Sequence, residues 1–207
     1  MNFDRVARPY RHLERLVYGG ALQAARVAHL DVIEGRARVL LIGDGDGRFL
    51  RALVERAPAA SVDVVEASGR MIELARQELP EGCEVRFHHL PLASYAPEGQ
   101  FDFIVSHFFL DCFDEAGIAA VVDRVGAWLR PGGCWLISDF QLPRMGWMRR
   151  FRARVLLRVM YSFFRLAAGL DTVRLVDPDR YLDAAGFRLE SRETSNGDFL
   201  RADRWRR

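Results

Sequence analysis

Lysine is absent from this chain, and arginine supplies all 30 basic residues. That reads as codon or genome bias. Against 28 acids the arginines leave a net charge of only +2, too weak a basic balance to point to nucleic acid. Cysteine is scarce as well. Cys83, Cys112 and Cys134 stand far apart, with no CxxC or Cys/His spacing, so no metal site is expected. An odd count fits a reducing compartment rather than a disulfide framework. Long apolar runs are missing too, and none approaches the roughly 18 residues of a spanning helix. The first residues, MNFDRVARPYRHLERL, are charged throughout and lack the apolar core of a secretion signal. A cytoplasmic location is expected. What remains is 207 residues, 50% of them hydrophobic, enough for one domain that buries a core without disulfide staples.

Short apolar runs alternate with longer helix-like segments. Strands are expected at Arg38–Ile42, Val62–Glu66, Glu84–His88, Phe101–His107 and Cys134–Asp139, with helices at about Gly47–Arg56, Gly69–Leu79 and Asp114–Leu129. Strands separated by helices imply βαβ units and a parallel sheet. Pro58 stops the first helix, Ser68 caps the second, and 130-RPGG-133 ends the third. A helical segment over Pro9–Leu30 precedes this core. After it, the 141–178 insertion carries seven arginines from Arg144 to Arg165 and no acid between Asp139 and Asp171. A short helix over 179–187 follows. The tail reads as strands at Arg188–Thr194 and Asp198–Trp205 around an Asn196-Gly197 turn. The expected parts of the domain are an N-terminal helical cap (1–35), an α/β core (36–140), a helical insertion or lid (141–178) and a helix with hairpin (179–207).

The first strand breaks into 43-GDGDG-47. A glycine loop between strand and helix marks a nucleotide site. The dinucleotide fingerprint G-x-G-x-x-G fails here, because Arg48 stands at its third glycine. Asp44 and Asp46 decide more. A carboxylate about 5 Å from a phosphate charge costs roughly 3 kcal/mol at an effective dielectric near 20. S-adenosylmethionine has no phosphate and carries an ammonium and a sulfonium, so acids suit it. The competing reading makes both aspartates solvated turn residues, with Asp46 capping the helix. Glu66, 19 residues after Gly47, ends the second strand, where an acid takes ribose hydroxyls in nucleotide-binding α/β folds. A lone glutamate at a strand end is otherwise simply exposed.

Four stretches in order, 39-VLLIGDGDG-47, 62-VDVVEASGRMIELAR-76, 101-FDFIVSHFFLDCF-113 and 129-LRPGGCWLISDF-140, resemble the motifs of class I S-adenosylmethionine-dependent methyltransferases. The resemblance implies an α/β, Rossmann-like seven-stranded sheet, mostly parallel with the last strand antiparallel, and helices on both faces. It implies a helical cap from the N-terminus and an insertion after strand 5. It places Gly43, Asp44, Gly45 and Gly47 beside the methionine part of S-adenosylmethionine, Glu66 on the ribose, and Ala67 and Met71 beside the adenine. Two positions depart from the pattern. Leu41 stands where the family often has an acid, which leaves the ammonium to Asp44. Pro91 stands near where an acid often meets the adenine amine, so Leu90, Pro91 and Leu92 are expected to hold the adenine by packing and backbone groups.

Methyl transfer is an in-line displacement in which the protein positions the acceptor and, when needed, removes a proton. The end of the fourth strand, 106-SHFFLDCF-113, should face the methyl group. His107 is a candidate base or orienting group beside the cofactor, since its ordinary pKa lies near neutrality. Asp111 could orient it or the acceptor, and Asp139 shares the rim. A structural histidine is the competing reading. Tyr10, Tyr18, Trp147, Tyr161 and Phe164, with Met160 and Phe163, are candidate acceptor lining; such aromatics at helical spacing also fit a core. No Asn-Pro-Pro-Tyr motif marks amino-group methylation, which favours an oxygen or carbon acceptor.

Arg150, Arg154, Arg158 and Arg165 fall on one face of a helix, with Val155, Leu156, Val159, Met160 and Phe163 on another. That pattern fits an amphipathic lid with a solvated basic face, and also a peripheral helix on an anionic membrane surface. The expected partner is a small-molecule acceptor, not nucleic acid. An RNA or protein methyltransferase, or a non-catalytic module that keeps the cofactor fold, are the alternatives.

Overall fold

The computed structural model describes residues 20–168 and 174–207, apart from the side chains at 164 and 166–168. In chain order the elements are α1 (Ala21–Val27), β1 (Arg38–Ile42), α2 (Arg48–Arg56), β2 (Ser61–Glu66), α3 (Gly69–Glu78), β3 (Val85–His89) and β4 (Phe101–His107). They continue with α4 (Glu115–Trp128), β5 (Leu129–Phe140), α5 (Trp147–Ala168), α6 (Asp179–Ala184), β6 (Arg188–Ser195) and β7 (Leu200–Arg206). All seven strands form one sheet in the order β3-β2-β1-β4-β5-β7-β6. β1 to β5 run parallel, and β7 enters antiparallel between β5 and β6. This is the expected mostly parallel sheet with its last strand reversed.

Alternation along the strands builds two cores. Leu40 and Ile42 face α4 and α6, packing with Ile118, Val122 and Leu182. Val39 and Leu41 face the other side, with Phe49, Leu50 and Leu53 of α2 and Ala75 of α3. Helices on both faces leave the central strands no polar side, so they read as continuous apolar runs. A third cluster joins Leu22 of α1 with Phe140, Phe199, Leu200 and Ala153, Leu157 and Tyr161 of α5. It fastens α1 and α5 over the ends of β5 and β7.

Ser68 caps α3 by accepting from Met71 N–H at 3.2 Å, as its position implied. Asp114 caps α4 by accepting from Gly117 N–H at 2.8 Å. Two local expectations change. The 130-RPGG-133 segment belongs to β5 itself: Leu129 pairs with Phe101 and Cys134 with Phe103, so the extra residues bulge out of the ladder. The C-terminal turn covers residues 196–199 rather than the expected 195–197, because Asp198 joins Asn196 and Gly197 at positive φ and Ser195 pairs with Leu200. Of the expected N-terminal helix, the part before residue 20 lies outside the described residues, as do Tyr10 and Tyr18.

Candidate active site

The carboxyl ends of the parallel strands open into a cavity of about 370 Å³. Strand ends are where open α/β sheets bind ligands, and this volume is within the roughly 300–1,000 Å³ of small-molecule sites. The loop after β1 forms one wall. Gly43, Gly45 and Gly47 all take left-handed backbone, with φ of 64°, 70° and 83°. Their roles differ. A Cβ on Gly43 would lie 3.0 Å from the Phe109 ring, and one on Gly45 would meet nothing within 4 Å. Gly43 and Gly45 line the cavity. Gly47 does not; a Cβ there would lie 2.5 Å from Ala75 Cα, so this glycine lets α2 approach α3.

The two loop acids also separate. Asp46 is buried and ion-paired to Arg48 Nε at 2.9 Å. The N-cap position of α2 is Gly47 rather than Asp46. Asp44 lines the cavity, and its Oδ2 is buried with no hydrogen-bond partner among the described residues. Burial raises its pKa to about 8, Asp46 and Glu66 push the same way, and Arg26 opposes them. Arg26 comes from α1, is itself buried, stacks 5.1 Å from the Phe108 ring centre, and lines the same cavity. Glu66 ends β2 at the cavity wall, where its Oε1 accepts from Ser68 N–H at 2.8 Å. Ala67, Met71, Leu90, Pro91 and Leu92 line the cavity beyond Glu66.

The opposite end is largely aromatic, with Phe108, Phe109, Phe113, Phe140 and Tyr161 around Met160, His107 and Asp111. Phe108 sits at φ +51°, a conformation that costs a bulky residue on the order of 1–3 kcal/mol, at the turn out of β4. His107 is buried edge-on against Phe49, with ring centroids 4.4 Å apart. Neither ring nitrogen has a hydrogen-bond partner among the described residues. Burial, assisted by Arg26, holds its pKa well below the ordinary value, so the ring is neutral at physiological pH. An ordinary histidine pKa therefore does not apply here, and Asp111 makes no hydrogen bond that orients this ring. Asp111 is instead the group near working pH, raised by burial to about 6. Its backbone N–H donates to Asp139 Oδ2 at 3.1 Å, and its carbonyl accepts from Tyr161 Oη at 3.3 Å. Asp139 is buried behind it, accepts from Phe140 N–H at 2.8 Å, and does not line the cavity. Trp147 points away, 78% exposed, and the Phe164 side chain lies outside the described residues. Among the described residues no group of His, Cys, Asp and Glu could hold a metal ion.

Residues 39–133 match the model of a methyltransferase domain family. The demethylmenaquinone methyltransferase of Thermus thermophilus is 32% identical over 149 residues, 70% of this chain and 66% of that protein. The chain belongs to the class I S-adenosylmethionine-dependent methyltransferases. A trans-aconitate 2-methyltransferase of an Azoarcus species is 32% identical over 112 residues, 54% of this chain. The chain spans 66% and 41% of the lengths of these two relatives. The magnesium protoporphyrin IX methyltransferase of Synechocystis, solved with S-adenosylhomocysteine, superposes with a TM-score of 0.68 at 15% identity. That alignment covers 99% of this chain and 96% of the other, and shows the shared fold.

The cofactor of this methyltransferase family is S-adenosylmethionine, and the residues present fit it. A buried carboxylate oxygen without a partner, at Asp44, suits an ammonium. The Arg26 guanidinium beside it suits a carboxylate. Glu66 offers a charged acceptor to hydroxyls, and the Leu90–Leu92 stretch offers an apolar wall without an acid. Arg26 is the main residue that sequence reasoning missed. It stands 17 positions before the glycine loop in an ordinary helix, with no motif around it, and only the packing of α1 beside α2 brings it in. Phe108, Phe109 and Phe113 belong to the stretch expected to face the methyl group, whereas Phe140 was hidden among apolar residues of core type.

Proposed function

We propose that this methyltransferase transfers a methyl group to a small apolar or aromatic acceptor, at oxygen or carbon. The observation that carries the reading is the aromatic end of the cavity, where Phe108, Phe109, Phe113, Phe140, Met160 and Tyr161 surround His107, Asp111 and Cys112, with Arg26 over the Phe108 ring as the one cation of the described lining. When bound, S-adenosylmethionine supplies the activated methyl. Arg26 and Asp44 hold the two charges of its amino-acid end, and Glu66 holds its ribose. His107, kept neutral, donates its ring N–H to the oxygen of an acceptor hydroxyl and orients it. Asp111, with a pKa near 6, takes the proton. The open cavity supports an enzyme over a silent module, whose methyl pocket side chains would fill. The relatives divide: the name of one specifies a quinone precursor and that of the other a tricarboxylate. A wall of this kind, with Asp111 in it, favours the apolar acceptor, since a polyanion would meet few cations there.

Thermal denaturation with S-adenosylmethionine or S-adenosylhomocysteine tests the cofactor part. Both ligands should raise the melting temperature, and Glu66→Ala and Gly45→Arg should each reduce the rise. No shift with either ligand at millimolar concentration would overturn it. Transfer of labelled methyl to a panel of phenols, hydroquinones and carboxylates tests the acceptor. Labelling confined to the carboxylates would sink the apolar reading.

A further inference from the structure

The lid helix α5 has two apolar faces, and among the described residues only one packs into the fold. Ala153, Leu157 and Tyr161 face inward and are buried, with Leu156 and Met160 half-buried beside them. The opposite side carries Met148, Phe151, Val155 and Val159, which are 62%, 62%, 45% and 63% exposed. At about 100° per residue these four fall within one stripe, and Trp147 lies at its margin. Seven of the eight exposed large apolar side chains among the described residues lie between Met145 and Phe163. This concentration is not the scatter expected of a solvated surface.

Arginines border the stripe on both sides. Arg154, Arg158 and Arg165 follow one flank and Arg149 and Arg152 the other, all exposed. No acid occurs between Asp139 and Asp171 to neutralise them. An apolar stripe between rows of cations is the pattern of a helix lying in the headgroup region of a bilayer. A second copy of the chain would bring like charges together along the stripe. A nucleic acid would leave the tryptophan, phenylalanine and valines without a use. Among the described residues no helix is long and apolar enough to cross a membrane, so the contact is with its surface.

We propose that the outer face of α5 docks on an anionic lipid bilayer, with the apolar stripe entering the acyl boundary and the arginines on the headgroups. Met160 and Tyr161, on the same helix, line the cavity, so docking sets the acceptor end of the site close to the membrane. The surface is a property of the folded chain and does not depend on the reaction proposed above.

Sedimentation with phosphatidylcholine vesicles, with and without phosphatidylglycerol, tests it. The full chain should bind the anionic vesicles, with the Trp147 fluorescence quenched by brominated acyl chains. Phe151→Asp with Val159→Asp should reduce partitioning by at least about tenfold. Arg154→Glu with Arg158→Glu should reduce it by about fivefold or more for each arginine, and added salt should do the same. None of the four side chains lines the cavity, so binding of S-adenosylhomocysteine should persist and report an intact fold. Failure of that binding in the unmodified chain would strike the cofactor reading and leave the vesicle result standing. No sedimentation with anionic vesicles at millimolar lipid overturns the proposal, as does binding that the two aspartates leave unchanged. A dimer broken by those aspartates, without vesicle binding, assigns the face to a second copy. Salt-sensitive RNA binding without vesicle binding assigns the arginines to nucleic acid.

Discussion

Replacing Asp44 by asparagine should strengthen the fold and weaken the cofactor site. In the free protein the Asp44 carboxyl is desolvated, faces Asp46 on its own loop and Glu66 from β2, and has Arg26 of α1 as its compensating charge. Its pKa rises from 3.8 to about 8. A raised carboxyl pKa has no effect on stability below the unfolded value and subtracts from it as pH climbs toward the folded one. At neutral pH the deficit is on the order of 4 kcal/mol, and asparagine should recover a good part of it. Ligand binding has the opposite sign. An ammonium prefers the ionised carboxylate, so binding below pH 8 must release a proton. From the pKa of about 8, the ionised fraction falls about 50-fold between pH 8 and pH 6, and affinity should follow it. Calorimetry of S-adenosylhomocysteine in two buffers of different ionisation enthalpy measures both quantities. The unmodified chain should release close to one proton at pH 6 and bind more tightly as pH rises. The Asp44→Asn protein should lose that slope and bind at least about tenfold more weakly at pH 8. The ligand's own amine titrates in both proteins, so the difference isolates Asp44. Flat affinity with no proton release in the unmodified chain would refute the assignment of the ammonium to this residue.

His107→Ala should lower turnover far more than cofactor affinity, and equal loss of both would make the residue structural. Because burial keeps His107 neutral, the pH profile of turnover should show the inflection near 6 of Asp111 and lose it in Asp111→Asn. Gly47→Ala should destabilise by roughly 3 kcal/mol, from the left-handed backbone and the 2.5 Å approach to Ala75; chemical denaturation measures it, and an unchanged midpoint would refute the packing role. Arg192 pairs with Asp179 at 2.9 Å and with fully buried Asp203 at 2.7 Å. Arg192→Met leaves Asp203 with Arg201 at 3.6 Å and should cost about 3 kcal/mol while sparing cofactor binding in calorimetry.

The sheet was legible because its central strands are buried on both faces and so appear as unbroken apolar runs between helical segments. β1 and β4 fall where the sequence places them, and the others differ by a few residues at their ends. The glycine loop and Glu66 were legible because local backbone and spacing dictate them. Residues without a local signature were not. Arg26 and Phe140 lie far apart in the chain and have ordinary neighbours. The insertion illustrates the same limit: its single apolar face, as read from spacing, is two faces, with Leu156 and Met160 turned inward and Val155 and Val159 outward.

The element order, the C-terminal hairpin and the preference for a cationic nucleotide were readable from the residues, because periodicity, turn chemistry and loop charge act within a few residues; the reversed last strand came from the family resemblance. Packing settles which of two nearby acids is ion-paired on the loop and which keeps a buried carboxylate oxygen without a hydrogen bond among the described residues, since that depends on what α1 and α2 bring to the loop. It also moved Asp111 toward working pH and His107 away from it. Desolvation sets both shifts, and desolvation is a property of the folded surroundings rather than of either residue.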